Sequence, residues 1–380
     1  MQEDKFQLIQ AKAESLGFNF SGVTTASQTP HFKKFLSWLD KKQYGQLNFL
    51  QKDYVVDSRR DPSILLKDAQ SVIILGVNYG PRKINQQGNR KNETRIAAYA
   101  HYTDYHKIIR SKASELMRQI NFQKSGKINY RIFIDSGPVM EKDFAYAAGL
   151  GWIGKNSLLI HPKFGSFSFL CCIFTDEFFD CNLPLSEDLC ASCQACIRAC
   201  PTMSISEDHS INATRCISYL TIEHTGIIPR EMRSKIGNWI FGCDICQNVC
   251  PHNKNINLSP SNLFFGYKKE CDQTVDLLSE LMISERDFFH KFKGNPMVRL
   301  GYEQYVRNLI IATGNSQNER YIEALLYIFQ VGSEILRVHA VWALGEITQA
   351  DSLKFFQLKL DGENSQIVKR EMMWLKEKWA

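Results

Sequence analysis

The 380-residue sequence has no run of about 18 apolar residues, the length a helix needs to cross a bilayer, so no membrane span is expected. Its first residues, MQEDKFQLIQAKAESLGF, lack the apolar core of a secretory signal and read as an amphipathic helix. With no export signal, the twelve cysteines are expected in a reducing cytoplasm, where thiolates bind metals rather than pair as disulfides. Charge of one sign is not abundant either. The net value of +6 permits a polyanionic partner without requiring one. With this length and 44% hydrophobic residues, the chain exceeds one small module and fits two or three domains with proper cores.

What is present is sulfur in a defined spacing. Cys190, Cys193, Cys196 and Cys200 are followed by Pro201, and Cys243, Cys246 and Cys250 by Pro251. The first run has the C-x2-C-x2-C-x3-C-P spacing of bacterial ferredoxins with two 4Fe–4S clusters, whose fourth cysteine serves the other cluster. Two clusters need eight thiolates and these runs supply seven, because the second lacks its middle cysteine. Cys216, between the runs, is the preferred eighth ligand, ahead of Cys181 and Cys271. The expected sets are Cys190, Cys193, Cys196 and Cys250 on one cluster, and Cys200, Cys216, Cys243 and Cys246 on the other. Zinc is disfavoured, since its sites pair two C-x2-C units without a four-cysteine run ending in Cys-Pro. Cys171 and Cys172 lie in the apolar run SFSFLCCIFTD and read as core.

Along the chain, a helix over residues 4–17 is followed by a short strand at FNFSGVTTA and a second helix in HFKKFLSWLDKKQYGQLNFL, ending around Tyr44 and Gly45. A helix start is expected at Asp61-Pro62, then a buried strand at SVIILGVNY. Residues 81–95 are polar and read as a loop, and DYHKIIRSKASELMRQI is an amphipathic helix. RIFI reads as a strand that delivers Asp135 to its C-terminal end, and SFSFLCCIFTD as the last strand of an α/β or α+β domain ending near residue 178. Beyond about residue 285 the pattern is paired helices, and EILRVHAVWALGEI has the small-residue pattern of a HEAT-type repeat, with a plain helical bundle as the alternative.

The stretch GLGWIGKN approaches the phosphate-binding pattern G-x-x-x-x-G-K-[ST] through Gly149, Gly154 and Lys155. However, Asn156 lacks the magnesium-binding hydroxyl, and a helix precedes it where a strand is required. A nucleotide loop is rejected. A glycine-rich turn able to approach a large planar ligand closely, or a purely structural turn, remains. Asp135 could line a pocket or merely form a turn, and Glu141, Asp143, Tyr99 and His101 are comparable candidates for a general acid.

Taken together, these residues resemble the epoxyqueuosine reductases over nearly the whole chain. The resemblance rests on Arg59-x-Asp61-Pro62, Asp104-Tyr105-His106-Lys107, Asp135-Ser-Gly-Pro and Gly149-Leu-Gly-Trp-Ile-Gly-Lys-Asn156. It continues through the eight cysteines, Gly242-Cys-Asp-Ile-Cys-Gln247 and Cys250-Pro-His-Asn253. It implies a multidomain α+β fold: an α/β cobalamin-binding catalytic domain over 1–178, related to reductive dehalogenases, and a ferredoxin-like two-cluster domain over 179–258. A linker and HEAT-like helices occupy 259–380.

The activity it implies is cobalamin-dependent reduction of epoxyqueuosine to queuosine at the wobble position of tRNA, the last step of queuosine biosynthesis, with electrons relayed by two 4Fe–4S clusters. Asp135 matches the family's proton donor, for which its carboxyl has to carry a proton near neutral pH. Arg59, Tyr99, Asp135, the turn Ile153, Gly154, Lys155, Asn156 and Ser157, and Gln247 fall where the family's cofactor pocket lies. The partners implied are tRNAs with GUN anticodons (those for Asp, Asn, His and Tyr) and an external low-potential donor of ferredoxin or flavodoxin type. The protein is expected to act as a cytoplasmic monomer. Lys291, Lys293, Arg299, Arg307 and Arg337 are candidates for phosphate contact. Two alternatives are a reductive dehalogenase acting on a small molecule, disfavoured without an export signal, and a ferredoxin-type carrier on a helical scaffold, for which the first 178 residues are too substantial.

Overall fold

The computed structural model describes residues 5–80, 94–122, 127–185, 188–254, 277–351 and 362–379. Most of the polar stretch 81–95, most of SLKFFQLKLDGEN, and Cys271 lie outside them. The described residues form eight strands: β1 (Phe20–Thr25), β2 (Ser71–Asn78), β3 (Arg95–Ile96), β4 (Tyr130–Phe133), β5 (Trp152–Ile153), β6 (Leu159–Ile160), β7 (Ser168–Thr175) and β8 (Trp239–Phe241). Among these residues no helix is long and apolar enough to cross a membrane. The chain divides into two compact units, one of Met1–Ile84, Tyr102–Thr214 and Asp244–Tyr267, the other of Asn85–His101, Arg215–Cys243 and Lys268–Ala380.

The first unit is built on a sheet of order β1-β2-β7-β4, antiparallel at every pairing. The five helices that accompany it are α1 (Lys5–Ser15), α2 (Phe32–Asp40), α3 (Asp53–Arg60), α4 (Tyr105–Phe122) and α5 (Glu141–Ala147). The run SVIILGVNY becomes β2, buried at all of its residues, which requires cover on both faces of the sheet. On one face, Phe144 and Ala145 of α5 pack with Val72, Ile74, Cys172 and Phe174. α1 packs on β1, and α4 on β4 and β7. Cys171 and Cys172 are core, as the apolar run predicts.

Two expectations are corrected here. The first domain is α+β and not α/β, because its strands pair antiparallel; alternating helix and strand patterns do not encode strand direction. The expected helix at Asp61-Pro62 is a single 3-10 turn, Pro62–Ile64, in which the Asp61 carboxylate accepts the Ser63 N–H at 2.9 Å. Proline suits the first position of such a turn, and Asp61 caps it without committing the chain to a longer helix.

The second unit pairs β3 with β8 in parallel and packs helix Glu334–Thr348 against Gly301–Ser316, Ile322–Val331 and Gln366–Trp379. Helix Gly301–Ser316 carries Arg307 and Asn308, both fully buried. The Arg307 guanidinium donates to the carbonyls of His224 (2.7 Å), Gly226 (2.9 Å) and Leu220 (3.0 Å). Asn308 Nδ2 donates to the carbonyls of Thr221 (2.8 Å) and Ile240 (2.9 Å), while its Oδ1 accepts from Arg307. Arg307 is thus a structural cation and not a phosphate contact, and burial lowers its pKa to about 10. Two other basic candidates are also engaged: Arg337 is paired with Glu363 and Lys291 with Glu280.

Replacing Arg307 with leucine would leave three carbonyl acceptors without their donor in a closed interior. The expected loss is roughly 3 kcal/mol of stability, read as a lower urea midpoint with unchanged slope.

Candidate active site

The first unit contains a cavity of about 600 Å³. Phe35 and Trp38 of α2 form one wall, Arg59 closes the end of α3, and Glu141 and Lys142 project from the first turn of α5. Trp152, Ile153 and Ser157, from the turn between β5 and β6, complete it. This turn is held tightly: a Cβ at Gly151 would stand 2.2 Å from the Ile160 carbonyl oxygen, so only glycine fits.

Charges inside the cavity are balanced against burial. The Arg59 guanidinium lies over the Phe35 ring at 4.4 Å, and burial lowers its pKa against the opposing pull of Glu141. Burial pushes the Glu141 carboxyl up to about 7; the charge of Asp135 adds to the effect, and Arg59 and Lys142 oppose it. Lys142 Nζ donates to the Ser157 carbonyl at 2.6 Å. Arg59 Nε and Glu141 Oε1 are buried without a hydrogen-bond partner. An aromatic wall with an idle donor and an idle acceptor suits a large amphiphilic ligand bearing amide groups.

Asp135 follows β4 as expected, in the left-handed region at φ 56°. Its side chain accepts a hydrogen bond from Tyr105 Oη at 2.6 Å and is not among the groups lining the cavity. The Tyr105 ring stacks on Phe169 at 3.7 Å, which fixes the hydroxyl's position.

A second, smaller cavity is lined by Cys190, Cys193, Cys196 and Cys250, together with Lys155 and Asn156. The four thiols proposed to share a cluster are thus gathered around one space. Burial raises Cys250 and Cys196, and the charges of neighbouring cysteines add to it. The C-x2-C-x2-C spacing of three of these cysteines is that of a 4Fe–4S site. Cys200 Sγ accepts the Ser204 N–H at 3.4 Å. Cys200 and Cys246 belong to the first unit, Cys216 and Cys243 to the second.

The turn Ile153–Ser157 is split between the two cavities. Ile153 and Ser157 face the large one, whereas Lys155 and Asn156 face the cysteines, and Lys155 Nζ donates to the carbonyls of Ala191 (2.7 Å) and Cys193 (3.0 Å). Lys155 and Asn156 are therefore reassigned from the large cavity to the cysteine side; Gly154 lies between the two sets. Gln247 is buried in a network in which Ser166 Oγ donates to its Oε1 (2.9 Å) and Asn253 Nδ2 to its carbonyl (2.7 Å), and it does not line the large cavity. Tyr99 belongs to the second unit, where it packs on Phe241. Sequence reasoning gave no role to Trp152 and Tyr105, although both lie inside the motifs it singled out, and it had no signal for the aromatic wall of α2.

Comparison with known proteins agrees with this geometry. Residues 189–253 match the model of a 4Fe-4S double cluster binding domain, and residues 59–136 the model described as epoxyqueuosine reductase QueG, DUF1730. An epoxyqueuosine reductase of Vibrio cholerae is 36% identical over 343 residues, covering 90% of this chain and 91% of that one. A crystal structure of epoxyqueuosine reductase with an epoxyqueuosine-modified tRNA-Tyr stem loop superposes with a TM-score of 0.86 at 29% identity, over 98% of this chain and 97% of that one. The Bacillus subtilis epoxyqueuosine reductase, solved with its catalytic aspartate loop swung out of the active site, gives 0.85 at 29% identity over 98% of both chains.

The raised Glu141 carboxyl has a consequence for stability. In the unfolded chain it ionises near its ordinary value of 4.5, whereas in the folded protein it stays protonated up to about 7. Between those values the unfolded state binds fewer protons, so stability falls as pH rises through this window, and the cost is fully present above it. Glu141→Gln is expected to flatten that part of the stability-against-pH curve relative to the parent protein, measured by urea unfolding at a series of pH values.

Proposed function

Since the chain belongs to the epoxyqueuosine reductase family, we propose that its two cavities carry out, on tRNA, the reduction of epoxyqueuosine to queuosine. The observation that carries the proposal is the single turn Ile153–Ser157 lining both the large cavity and the four-cysteine cavity. Removing the epoxide oxygen to leave an alkene takes up two electrons and two protons and releases water. Bound 4Fe–4S clusters and a corrinoid in the large cavity supply, respectively, one-electron steps and a strongly nucleophilic metal.

The chain's residues have distinct tasks in this reading. Cys190, Cys193, Cys196 and Cys250 hold the cluster next to the turn. Cys200, Cys216, Cys243 and Cys246 hold the second, on the strength of their spacing. Arg59, Ile153, Gly154 and Ser157 hold the corrinoid's periphery, and the aromatic wall excludes water from it. Lys155 grips the cluster loop, and Asn156 lines the space beside it. Tyr99, packed on Phe241, and Gln247, bonded to Ser166, keep their neighbouring segments in place. Asp135 delivers a proton to the epoxide oxygen as it opens, with Tyr105 Oη as its resting partner. The B. subtilis relative, whose catalytic aspartate loop swings out of the active site, supports a delivery that depends on loop position.

The tRNA-bound relative supports an anticodon stem loop as substrate. In the present chain we assign the four GUN-decoding tRNAs as substrates. Phosphate contacts fall to exposed groups such as Lys293 and Arg299, the latter partly committed to Glu223 at 3.1 Å. Segments 1–178, 179–258 and 259–380 are read as catalytic, electron-relay and RNA-facing. The helices of the last segment serve as HEAT-like repeats. We further propose a cytoplasmic monomer supplied with electrons by a ferredoxin- or flavodoxin-type donor.

The test uses anaerobically purified protein, reconstituted with iron and sulfide, given cobalamin, a reductant and an epoxyqueuosine-containing stem loop. Mass spectrometry of the digested RNA is expected to find loss of one oxygen only when cobalamin is present. Asp135→Asn is expected to slow conversion at least about a hundredfold with iron and cobalamin loading unchanged. Full turnover in that variant refutes its role as proton donor. Stem-loop affinity is expected to fall steeply between low and physiological salt, measured by fluorescence anisotropy.

A further inference from the structure

Trp152 lines the large cavity and is bonded to a cysteine of the small one: its indole Nε1–H donates to Cys190 Sγ at 3.4 Å. The side chain is 2% exposed and packs in one cluster with Ile160, Cys190 and Cys250, so two thiols of the first ligand set lie against a single indole. The His252 ring meets it edge-on at 4.8 Å, holding the indole plane from the other side. A buried indole N–H needs an acceptor, and the one it has here is a ligand sulfur.

We propose that Trp152 is the electronic bridge between the first iron–sulfur cluster and the redox cofactor of the large cavity, its N–H poising the cluster and its ring filling the path between them. The inference rests on the function proposed above and adds a residue to it. With both groups bound, each transfer would carry one electron from the cluster held by Cys190 to the redox cofactor of the large cavity. No bond is made or broken, no proton moves, and Trp152 is neither oxidised nor reduced. Two transfers supply the two electrons that epoxide removal consumes. A donor to a cluster sulfur favours the more negative, reduced cluster, so the bond raises the reduction potential. Lys155, whose ammonium is fixed on the carbonyls of Ala191 and Cys193, pulls in the same direction.

The first measurement is an EPR-monitored redox titration of iron-loaded, cobalamin-free protein. Trp152→Phe keeps most of the ring bulk and removes the donor. One of the two clusters is expected to shift to a more negative midpoint while the other stays in place. With saturating cobalamin added, its reduction after rapid mixing with reductant is expected to slow severalfold. Unchanged midpoints for both clusters overturn the proposal. If the variant loses iron, wild-type protein labelled with ¹⁵N at the indole decides the matter. A ¹⁵N hyperfine coupling to one reduced cluster supports the bridge, and its absence overturns it. A wild-type protein that assembles no 4Fe–4S signal fails at the functional reading instead, which separates the two failures.

Discussion

A backbone turn that no side chain may thicken holds the first unit's chemistry together. Because the Ile160 carbonyl sits where a Cβ of residue 151 would be, the chain from Gly151 to Ser157 lies flush against β6 and presents side chains in two directions. Ile153 and Ser157 go one way, Lys155 and Asn156 the other. The large cavity and the four-cysteine space can then share one thin partition. Distance matters for electron transfer between non-bonded groups, and a partition one turn thick keeps it short. The lysine that mimics a phosphate-binding loop has a different task here, clamping two carbonyls of the cysteine loop.

The large cavity illustrates how burial and opposite charge can be set against each other without cancelling. Arg59 is held below its ordinary value by loss of water and Glu141 above its own, and the charge of each opposes the other's shift without abolishing it.

Legibility from sequence followed the range of the interactions concerned. The cysteines of the first run were readable because three of them sit in one short loop, where spacing alone sets which sulfurs can meet. The strand β2 was readable from an unbroken apolar run, and Cys171 and Cys172 from their apolar neighbours. Asp135 was placed correctly at the end of β4, but its bond to Tyr105 joins residues thirty positions apart and leaves no periodic trace. The opposite destinations of Ile153 and Lys155 were not readable either, since an irregular turn has no period that assigns faces. Arg307 was misread because an arginine is by default a surface residue. Only the ring of carbonyls around it, supplied by Leu220, His224 and Gly226, makes an interior guanidinium tolerable.

Those carbonyls lie on the segment that begins at Cys216, which stands at the N-terminus of helix Ile217–Ile222, and Asn308 also grips Ile240 in the strand just before Cys243. Two cysteines are therefore positioned by a pair of residues from a helix that a modular view would count as an accessory. The helical region is therefore a structural support of the cysteine-bearing segment, and trimming it away would remove that support. Change in one part of the unit constrains change in the other, so a graft boundary drawn between residues 243 and 301 would sever the anchor from the ligands it holds.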